Sequence, residues 1–282
     1  MFQQHLKHFR YVMGENPVTM FAFSLFALIV FLAIFGPLIT PHDPLATNAT
    51  NTLKPPSWNH AFGTDHLGRD VFSRVIAATR LDLGIAVSAV ALSFFIGGAL
   101  GCIAGFWGGW TDRIVGRFSD TIMAFPLFVL AMGIVASMGN TVENIIYATA
   151  IINLPFYARV ASAETSIRRN AGYVYAARLC GSSDARILAT QIFPNILQPM
   201  MVQISLNMGW AILNAAGLSF IGLGVRPPDA EWGIMVAEGA NYIVSGELWL
   251  AIFPGGALML AVFCFNLLGD GLRDLVDPLR RS

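Results

Sequence analysis

The sequence predicts an all-α membrane protein with about six transmembrane helices. Of its 282 residues, 55% are hydrophobic and only 12% are charged, whereas soluble domains carry roughly 25% charged residues. Apolar stretches of about 20 residues, the length that crosses the hydrocarbon core as a helix, recur along the chain. The formal net charge is zero, which gives no sign of the basic surface that binds nucleic acid.

The first apolar stretch is interpreted as an uncleaved membrane anchor. Its apolar run is longer than that of a signal peptide, and "FGPLITPHDP" at its end contains no small-x-small cleavage site. The six predicted spans cover residues 18–39, 83–106, 118–138, 142–160, 200–222 and 249–268.

The distribution of basic residues predicts the orientation of these spans. With the N-terminus in the cytoplasm, 12 of the 17 Lys and Arg residues fall on the inner side and 5 on the outer side. The reverse topology inverts this ratio and violates the positive-inside rule. Both termini are therefore predicted to be cytoplasmic.

Four polar segments connect the spans. Residues 40–82 are predicted to be external, with a loop-like first half and, from Asp70 on, a helix lying at the membrane interface. Residues 106–117 are predicted to form a short inner turn, residues 159–199 a long inner segment, and residues 224–247 a mildly acidic external segment.

The long inner segment contains "YVYAARLCGSSDARILATQIFPN" (residues 173–195), which predicts two short helices. Residues 173–180 form the first, and its small residues Ala176 and Ala177 allow close approach by another surface. Gly181 suits the helix end, where a positive φ is needed. Two short cytoplasmic helices with small and apolar residues would form a docking surface.

The second helix is predicted to begin at Ser182 or Ser183, either of which can act as its N-cap. Asp184 is favourable in its first turn, and the helix is expected to stop before Pro194. The alternative is a loop that merely joins two spans, although a structureless connection of this length is unusual.

The fifth span carries a polar stripe. At 100° per residue, its polar residues and Gly217 fall within about 80° of one another. Polar side chains in membrane helices face the bundle interior or a water-filled cavity. The stripe therefore indicates either a pathway lining or hydrogen bonds between helices. Its residues are Gln203, Asn207, Trp210 and Asn214.

The outer loop contains "GTDHLGRD", which is interpreted as a structured turn in which Asp65, Arg69 and Asp70 interlock. Its use is expected to be shaping the external mouth or meeting a substrate-binding protein. The loop region also holds three histidines, but their spacings of 18 and 6 residues match no compact ligand motif, so no metal site is predicted. They are His42, His60 and His66.

Several motifs resemble one transporter family. "YAARLCG" followed by "IFPN" resembles the EAA loop of the membrane subunits of bacterial ABC importers. Four further stretches, in the right order, resemble the second permease of dipeptide, oligopeptide and nickel uptake systems. They are "FGTDHLGRDVFSRV" (62–75), "GFWGGWTDRIVGRFSDTIMAFP" (105–126), "GLSFIGLGVRPPDAEWGIMV" (217–236) and "NLLGDGLRDLVDP" (266–278).

This resemblance covers nearly the whole chain and implies the type I ABC importer permease fold in the bacterial inner membrane. It implies a multi-pass subunit that forms half of the pathway for dipeptides or oligopeptides, with nickel or another small solute as the alternative cargo. The implied partners are a second homologous permease, one or two cytoplasmic ATPase subunits, an external substrate-binding protein and membrane lipid. The ATPases would use ATP and Mg²⁺, and this chain would bind no cofactor of its own.

The resemblance also assigns roles to residues. In this family the EAA loop sits in a groove of the ATPase, and the fifth helix lines the channel, which favours the pathway interpretation of the stripe. Tyr175 stands where the family usually has Glu, so packing and one hydroxyl replace a carboxylate there. The implied coupling residues are Tyr173, Tyr175, Ala176, Ala177, Gly181, Ser182, Ser183 and Asp184.

The domain organisation follows from these assignments. Residues 1–82 are predicted to hold the cytoplasmic tail, anchor helix and external loop, residues 83–275 the permease core with its coupling loop at 159–199, and residues 276–282 a cytoplasmic tail. No Gly-rich phosphate loop ending in Gly-Lys-Ser/Thr occurs, so ATP hydrolysis is expected in a partner.

An intramembrane enzyme is the remote alternative, but it needs a nucleophile with a base, or clustered metal ligands, at membrane depth. All five histidines lie outside the predicted spans, and Asp120 and Glu143 lie at helix ends on opposite sides of the bilayer. A pure assembly or signalling protein does not explain the docking segment together with the external loops.

Overall fold

The computed structural model describes residues 17–276, which are largely helical; in this range the only β-structure is one isolated bridge between Thr64 and Asp70. The predicted tails, apart from residue 276, fall outside the described residues. A 3-10 turn (Ala49–Asn51) and a π-helical turn (Leu188–Ile192) accompany the helices. The helices are α1 (Pro17–Ile39), α2 (Val71–Trp107), α3 (Gly109–Met123), α4 (Leu127–Met138), α5 (Val142–Arg168), α6 (Gly172–Leu179), α7 (Asp184–Ile187), α8 (Phe193–Phe220), α9 (Trp232–Ala240) and α10 (Trp249–Val276).

Five helical segments are long and apolar enough to cross a membrane. They are α1, α2, α5, the run from α7 through α8 (Asp184–Phe220), and α10. Four of them contain a predicted span completely, and Asp184–Phe220 contains the predicted span 200–222 except for its last two residues, so these five predictions are confirmed. The sixth predicted span, residues 118–138, is not one straight helix, because α3 and α4 meet there at an angle of 87°.

The bend between α3 and α4 has a local cause. α3 ends at Met123, and the amide of its C-cap residue Ala124 still bonds to the carbonyl of Asp120 at 2.9 Å. Pro126 follows two residues later; it has no amide hydrogen, and its ring disfavours helical geometry at Phe125. The chain therefore leaves the helix at residues 124–126 and restarts as α4.

α2 is longer than predicted. Asp70 is its N-cap, and its side chain accepts the Ser73 amide at 2.8 Å. The helix then continues for 37 residues to Trp107, so the helix predicted from Asp70 on is part of the span rather than a separate interfacial element. The predicted inner turn of residues 106–117 is likewise mostly helical, and only Gly108 separates α2 from α3. Gly108 and Gly109, the first residue of α3, both have positive φ.

A glycine seam joins α2 to α5. Gly97, Gly101 and Gly105 recur every fourth residue and face the backbone of α5. A Cβ atom at these positions would lie 2.6, 2.2 and 2.4 Å from carbonyl oxygens of α5, at Leu154, Ala158 and Ser162 respectively. Small residues allow such close contact between helices in membranes, so this pair forms the centre of the bundle. α1 packs on α2 and α10, and α8 packs on α2, α5 and α10.

The second short helix does not stop before Pro194, contrary to the prediction. The chain passes from α7 through the π-helical turn directly into α8, and Pro194 lies in the first turn of α8. In the π-helical turn the Phe193 amide bonds to the carbonyl of Leu188, five residues earlier. A proline is tolerated in a first turn, where the missing amide hydrogen is not needed, so the helical run continues.

Candidate functional site

The two-helix segment, residues 172–187, has the geometry that its sequence predicts. Gly181 has a φ of +79°, and its amide bonds to the carbonyl of Arg178 at 2.9 Å. The Ser182 amide bonds to the carbonyl of Ala177 at 3.0 Å. These two bonds form a Schellman motif, which ends α6 with a residue in the left-handed conformation. No atom would contact a Cβ at Gly181, so its backbone conformation, not lack of space, requires glycine.

Ser183, rather than Ser182, is the N-cap of α7, and its hydroxyl accepts the Arg186 amide at 3.4 Å. Across the break, Arg178 Nε lies 3.4 Å from Asp184 Oδ1. The Arg178 guanidinium also lies over the ring of Phe106, at the end of α2, 5.3 Å from its centroid. One arginine therefore connects α6, α7 and α2.

Most of the predicted coupling residues form an exposed surface. Val174 and Ile187 are buried and fasten the two helices to the bundle. Around them the side chains point outward, and Leu179 is 89% exposed. An exposed leucine and two tyrosines on a short helix suit contact with another protein. Tyr173, Tyr175, Ala176, Gly181, Ser183 and Asp184 are exposed, and Ala177 and Ser182 are half-buried.

The polar stripe of α8 is divided by burial. Asn207 and Asn214 are buried, Gln203 is half-buried, and Trp210 is 61% exposed. Gln203 Nε2 donates to Asn207 Oδ1 at 3.0 Å, and Asn214 Nδ2 donates to the carbonyl of Trp210 at 2.8 Å. Both hydrogen bonds stay within α8. Asn207 also contacts the hydroxyl of Tyr157 on α5, so this part of the stripe joins two helices.

The residues predicted to interlock in the outer loop are buried. Arg69 Nε lies 2.5 Å from Asp65 Oδ2, which confirms this predicted contact, and Arg69 Nη2 lies 3.3 Å from Glu238 on α9. Asp70 forms no ion pair with Asp65 or Arg69. Its carboxylate caps α2, and its Oδ1 lies 2.9 Å from His60 Nδ1. Because all three predicted residues are buried, they hold the loop in shape and do not themselves form a contact surface.

Two groups of potential metal ligands come together, although the spacing of the histidines matched no motif. His42, His60 and Asp70 form one group, and His66 joins Asp65 and Glu238 in the other. Protein atoms already engage the first group, because His42 Nε2 contacts the carbonyl of Asn59 at 2.8 Å and His60 contacts Asp70. These hydrogen bonds indicate that the first group stabilises the loop.

Sequence analysis missed Arg74. Its side chain is 1% exposed, and its guanidinium donates to the carbonyls of Pro44, Pro228 and Asp229 at 3.1, 3.3 and 3.4 Å. Arg74 thus joins the first loop (residues 40–70) to the second loop (residues 221–248). The glycine seam, visible as "GGALGCIAG", was the signal available for the α2–α5 contact.

Comparison with known families agrees with this architecture. Residues 97–282 match the family described as "Binding-protein-dependent transport system inner membrane component". Residues 5–56 match the family described as "N-terminal TM domain of oligopeptide transport permease C".

Individual relatives extend over nearly the full chain. The chain is 41% identical over 268 residues to the probable D,D-dipeptide transport system permease protein of Escherichia coli (strain K12), covering 95% of this chain and 90% of the relative. It is 39% identical over 268 residues to the dipeptide transport system permease protein of Alkalihalophilus pseudofirmus, covering 95% and 88%. It is 39% identical over 256 residues to the glutathione transport system permease protein of Pectobacterium atrosepticum, covering 90% and 85%.

These matches confirm the fold class and the inner-membrane location that the motifs implied. A bundle of apolar helices, a two-helix segment set between two spans, and full-length similarity to permeases all lead to the same assignment. The chain belongs to the family of inner membrane components of binding-protein-dependent transport systems.

Proposed function

We propose that this chain is a peptide permease subunit that forms half of a translocation pathway across the bacterial inner membrane. The printed functions of its relatives support peptide cargo: D,D-dipeptides, dipeptides and glutathione are all short peptides. The chain covers most of the length of each relative, so the similarity is not confined to one segment. Both termini lie in the cytoplasm in this proposal, as the distribution of Lys and Arg predicts.

The two-helix segment is the docking site for a cytoplasmic ATPase, and its geometry is the observation that carries the proposal. The segment is fixed by two buried residues, Val174 and Ile187, and ends α6 at a conformation that only glycine adopts readily. Its remaining side chains are mostly exposed. A surface that is firmly attached to the bundle and also exposed suits the transmission of movement from one subunit to another.

Tyr175 makes this contact by packing, with its half-exposed ring in place of the carboxylate that the family usually has. ATP and Mg²⁺ are bound by the ATPase, because this sequence has no phosphate-binding loop. The chain therefore supplies the translocation pathway and the two-helix docking segment, and a separate subunit hydrolyses ATP.

The pathway runs along the side of α8 that bears Gln203 and Trp210, opposite a second permease subunit. Gln203 offers a hydrogen-bonding amide in a membrane helix, where polar groups face the bundle interior or a water-filled cavity. Asn207 and Asn214, which are buried, hold that side of α8 in place. An external binding protein delivers the peptide at the two loops.

Uptake by the reconstituted complex tests this function. The chain is co-purified with the permease, ATPases and binding protein encoded beside it and is placed in vesicles loaded with ATP. We expect uptake of labelled dipeptide that requires the binding protein and is not inhibited by chelated nickel. Uptake of the nickel chelate without competition by dipeptides would contradict the peptide assignment.

A further inference from the structure

Two acidic side chains meet in the protein interior where α2 contacts the start of α9. Asp82 is 1% exposed and Glu231 is 0% exposed. Asp82 Oδ2 accepts the backbone amide of Trp232 at 3.1 Å, and Glu231 Oε2 accepts the amide of Ile234 at 2.7 Å as the N-cap of α9. Both carboxyl groups are thus held at the same helix start, in contact with each other.

The second oxygen of each carboxyl group indicates that this pair needs a proton. Asp82 Oδ1 and Glu231 Oε1 are fully buried, and neither makes a hydrogen bond of normal geometry among the described residues. The Ser219 hydroxyl and the Gly233 amide are further donors beside the Glu231 carboxyl group, and burial outweighs their effect. Two carboxylates in contact cannot both ionise without a large electrostatic cost, and a buried acceptor without a donor costs about 1–3 kcal/mol. One proton between the two groups removes both costs, because the protonated carboxyl donates to the carboxylate.

No positive charge replaces that proton in the part of the chain that the structure describes. Arg74, on the same helix as Asp82, is engaged by Asp65 and by three backbone carbonyls, and Arg80 is exposed. On α9, Glu238 pairs with Arg69, and α1, α4 and α8 carry no charged residue. The other charged groups at this end of the bundle are Asp43, Lys54, Asp70, Glu143, Arg226, Asp229 and the partly exposed Glu247, and the histidines there are His42, His60 and His66.

Close packing at the start of α9 disfavours a hydrated metal ion as the neutralising group, and Asp82 and Glu231 belong to neither group of potential metal ligands found among the described residues. Beside Glu231, a Cβ atom on Gly233 would lie 2.1 Å from the carbonyl of Ala216 on α8. The indole of Trp232 donates to the carbonyl of Val75 on α2 at 3.0 Å. The first turn of α9 is therefore pressed against both α2 and α8, and a proton is the cation that fits.

We propose that Asp82 and Glu231 form a proton-binding site, in which one proton taken up from water is shared between the two carboxyl groups and holds α9 against α2. The site lies outside the coupling and pathway residues, and the proposal does not depend on the cargo or on the transport function. Its ligand is the proton itself.

The pH dependence follows from burial. Removal of Glu231 from water raises the pKa of its carboxyl group. A carboxyl group whose pKa is higher in the folded than in the unfolded chain stabilises the fold at low pH, and this contribution is lost as the pH rises through the folded-state value. At alkaline pH both groups ionise and repel, and the contact between α9 and α2 weakens.

Infrared difference spectroscopy on the purified full-length chain in detergent tests the shared proton directly. At neutral pH we expect the carbonyl-stretching band of a protonated carboxyl in the wild type, shifted in heavy water. Asp82→Asn and Glu231→Gln should each remove it, because the new amide donates to the remaining carboxylate and keeps the acceptor for the backbone amide. Asp229→Asn, at an exposed carboxylate two residues from Glu231, is the matched control and should keep the band. Absence of the band in the wild type, or its full height in both variants, would overturn the proposal.

Thermal unfolding as a function of pH provides an independent measurement. The midpoint of the wild type should fall from neutral to alkaline pH more steeply than that of Glu231→Gln, which has no proton to lose at this position. Asp229→Asn should follow the wild type. Parallel curves for the wild type and Glu231→Gln would also overturn the shared proton, because no proton would then be released from the pair.

Discussion

The two loops and the two-helix segment stabilise themselves in opposite ways. At the two loops, Asp65, Arg69 and Arg74 are buried and bonded within the chain. Arg69 pairs with Asp65 and Glu238, and Arg74, on α2, binds three loop carbonyls. In the two-helix segment, charged side chains are exposed, and the single ion pair between Arg178 and Asp184 is about half accessible to water. The loops bury these charged groups, whereas the two-helix segment leaves most of its side chains exposed.

This difference in charge burial predicts a difference in how easily the two regions move. A buried ionic network is costly to rearrange, because each charge must keep its partners or lose several kcal/mol. A segment fastened by two apolar residues and one glycine can move as a unit with the subunit that it contacts. The loops therefore keep one end of the bundle fixed, and in the proposed function the two-helix segment transmits motion at the other end.

We expect the loops and the two-helix segment to lie on opposite sides of the membrane. In a variant without Cys102, Cys180 and Cys264, one new cysteine is placed at Asn59 or at Ser183, both exposed. An impermeant thiol reagent added to cells with a permeable outer membrane should label the first and spare the second. After detergent solubilisation both positions should react, which controls for local accessibility. Equal or reversed labelling in cells would overturn the predicted topology.

Removal of Arg74 should have the largest effect on stability. Arg74→Met keeps the length of the side chain but removes the buried donor from three loop carbonyls and weakens the neutralisation of Asp65. Breaking a buried ionic contact of this kind costs about 3–5 kcal/mol, so we expect a large fall in the thermal unfolding midpoint and in membrane yield. Arg80→Met is the matched control, because Arg80 lies on the same helix and is exposed. Equal effects of the two substitutions would show that the buried network does not stabilise the loops.

Substitution of Gly181 should separate stability from function. Gly181→Val places a β-branched residue at a φ of +79°, where L-residues are strained by roughly 1–2 kcal/mol. Because a Cβ there meets no other atom, the segment is expected to relieve the strain by changing the angle between α6 and α7. The chain should insert and assemble, while binding-protein-stimulated ATP hydrolysis and uptake in vesicles fall to near background.

Gly181→Asn is the control for this experiment, because asparagine tolerates the left-handed conformation better than other residues with a Cβ. It should retain most of the coupled uptake. Tyr175→Glu, which restores the residue usual in the family, should be tolerated only if the ATPase groove offers a cation there. Normal coupled uptake by Gly181→Val would remove the coupling role from the two-helix segment.

The features that the sequence could predict are local ones. The spans depend on runs of apolar residues, and the conformation of Gly181 depends on its position between a helix and a Ser-Ser-Asp cap. Five of the six spans and the conformation of Gly181 were confirmed. The burial of Arg74 and the meeting of Asp82 with Glu231 could not be predicted, because their partners lie up to 155 residues away. The predicted stop before Pro194 was wrong because a π-helical turn lets a proline enter a first helical turn.

The smallest expected effect concerns Arg178, and it distinguishes a surface that stabilises the chain from one that contacts a partner. Exposed ion pairs contribute about 0–1 kcal/mol, so Arg178→Gln should leave the unfolding midpoint of the isolated chain almost unchanged. The arginine nonetheless bridges α6, α7 and the ring of Phe106, so its loss should reduce the coupling of ATP hydrolysis to uptake without abolishing it. Arg186→Gln, an exposed arginine of α7 without an ion pair among the described residues, is the matched control. A loss of stability for Arg178→Gln as large as that for Arg74→Met would show that the two-helix segment, like the loops, is held by its own charges.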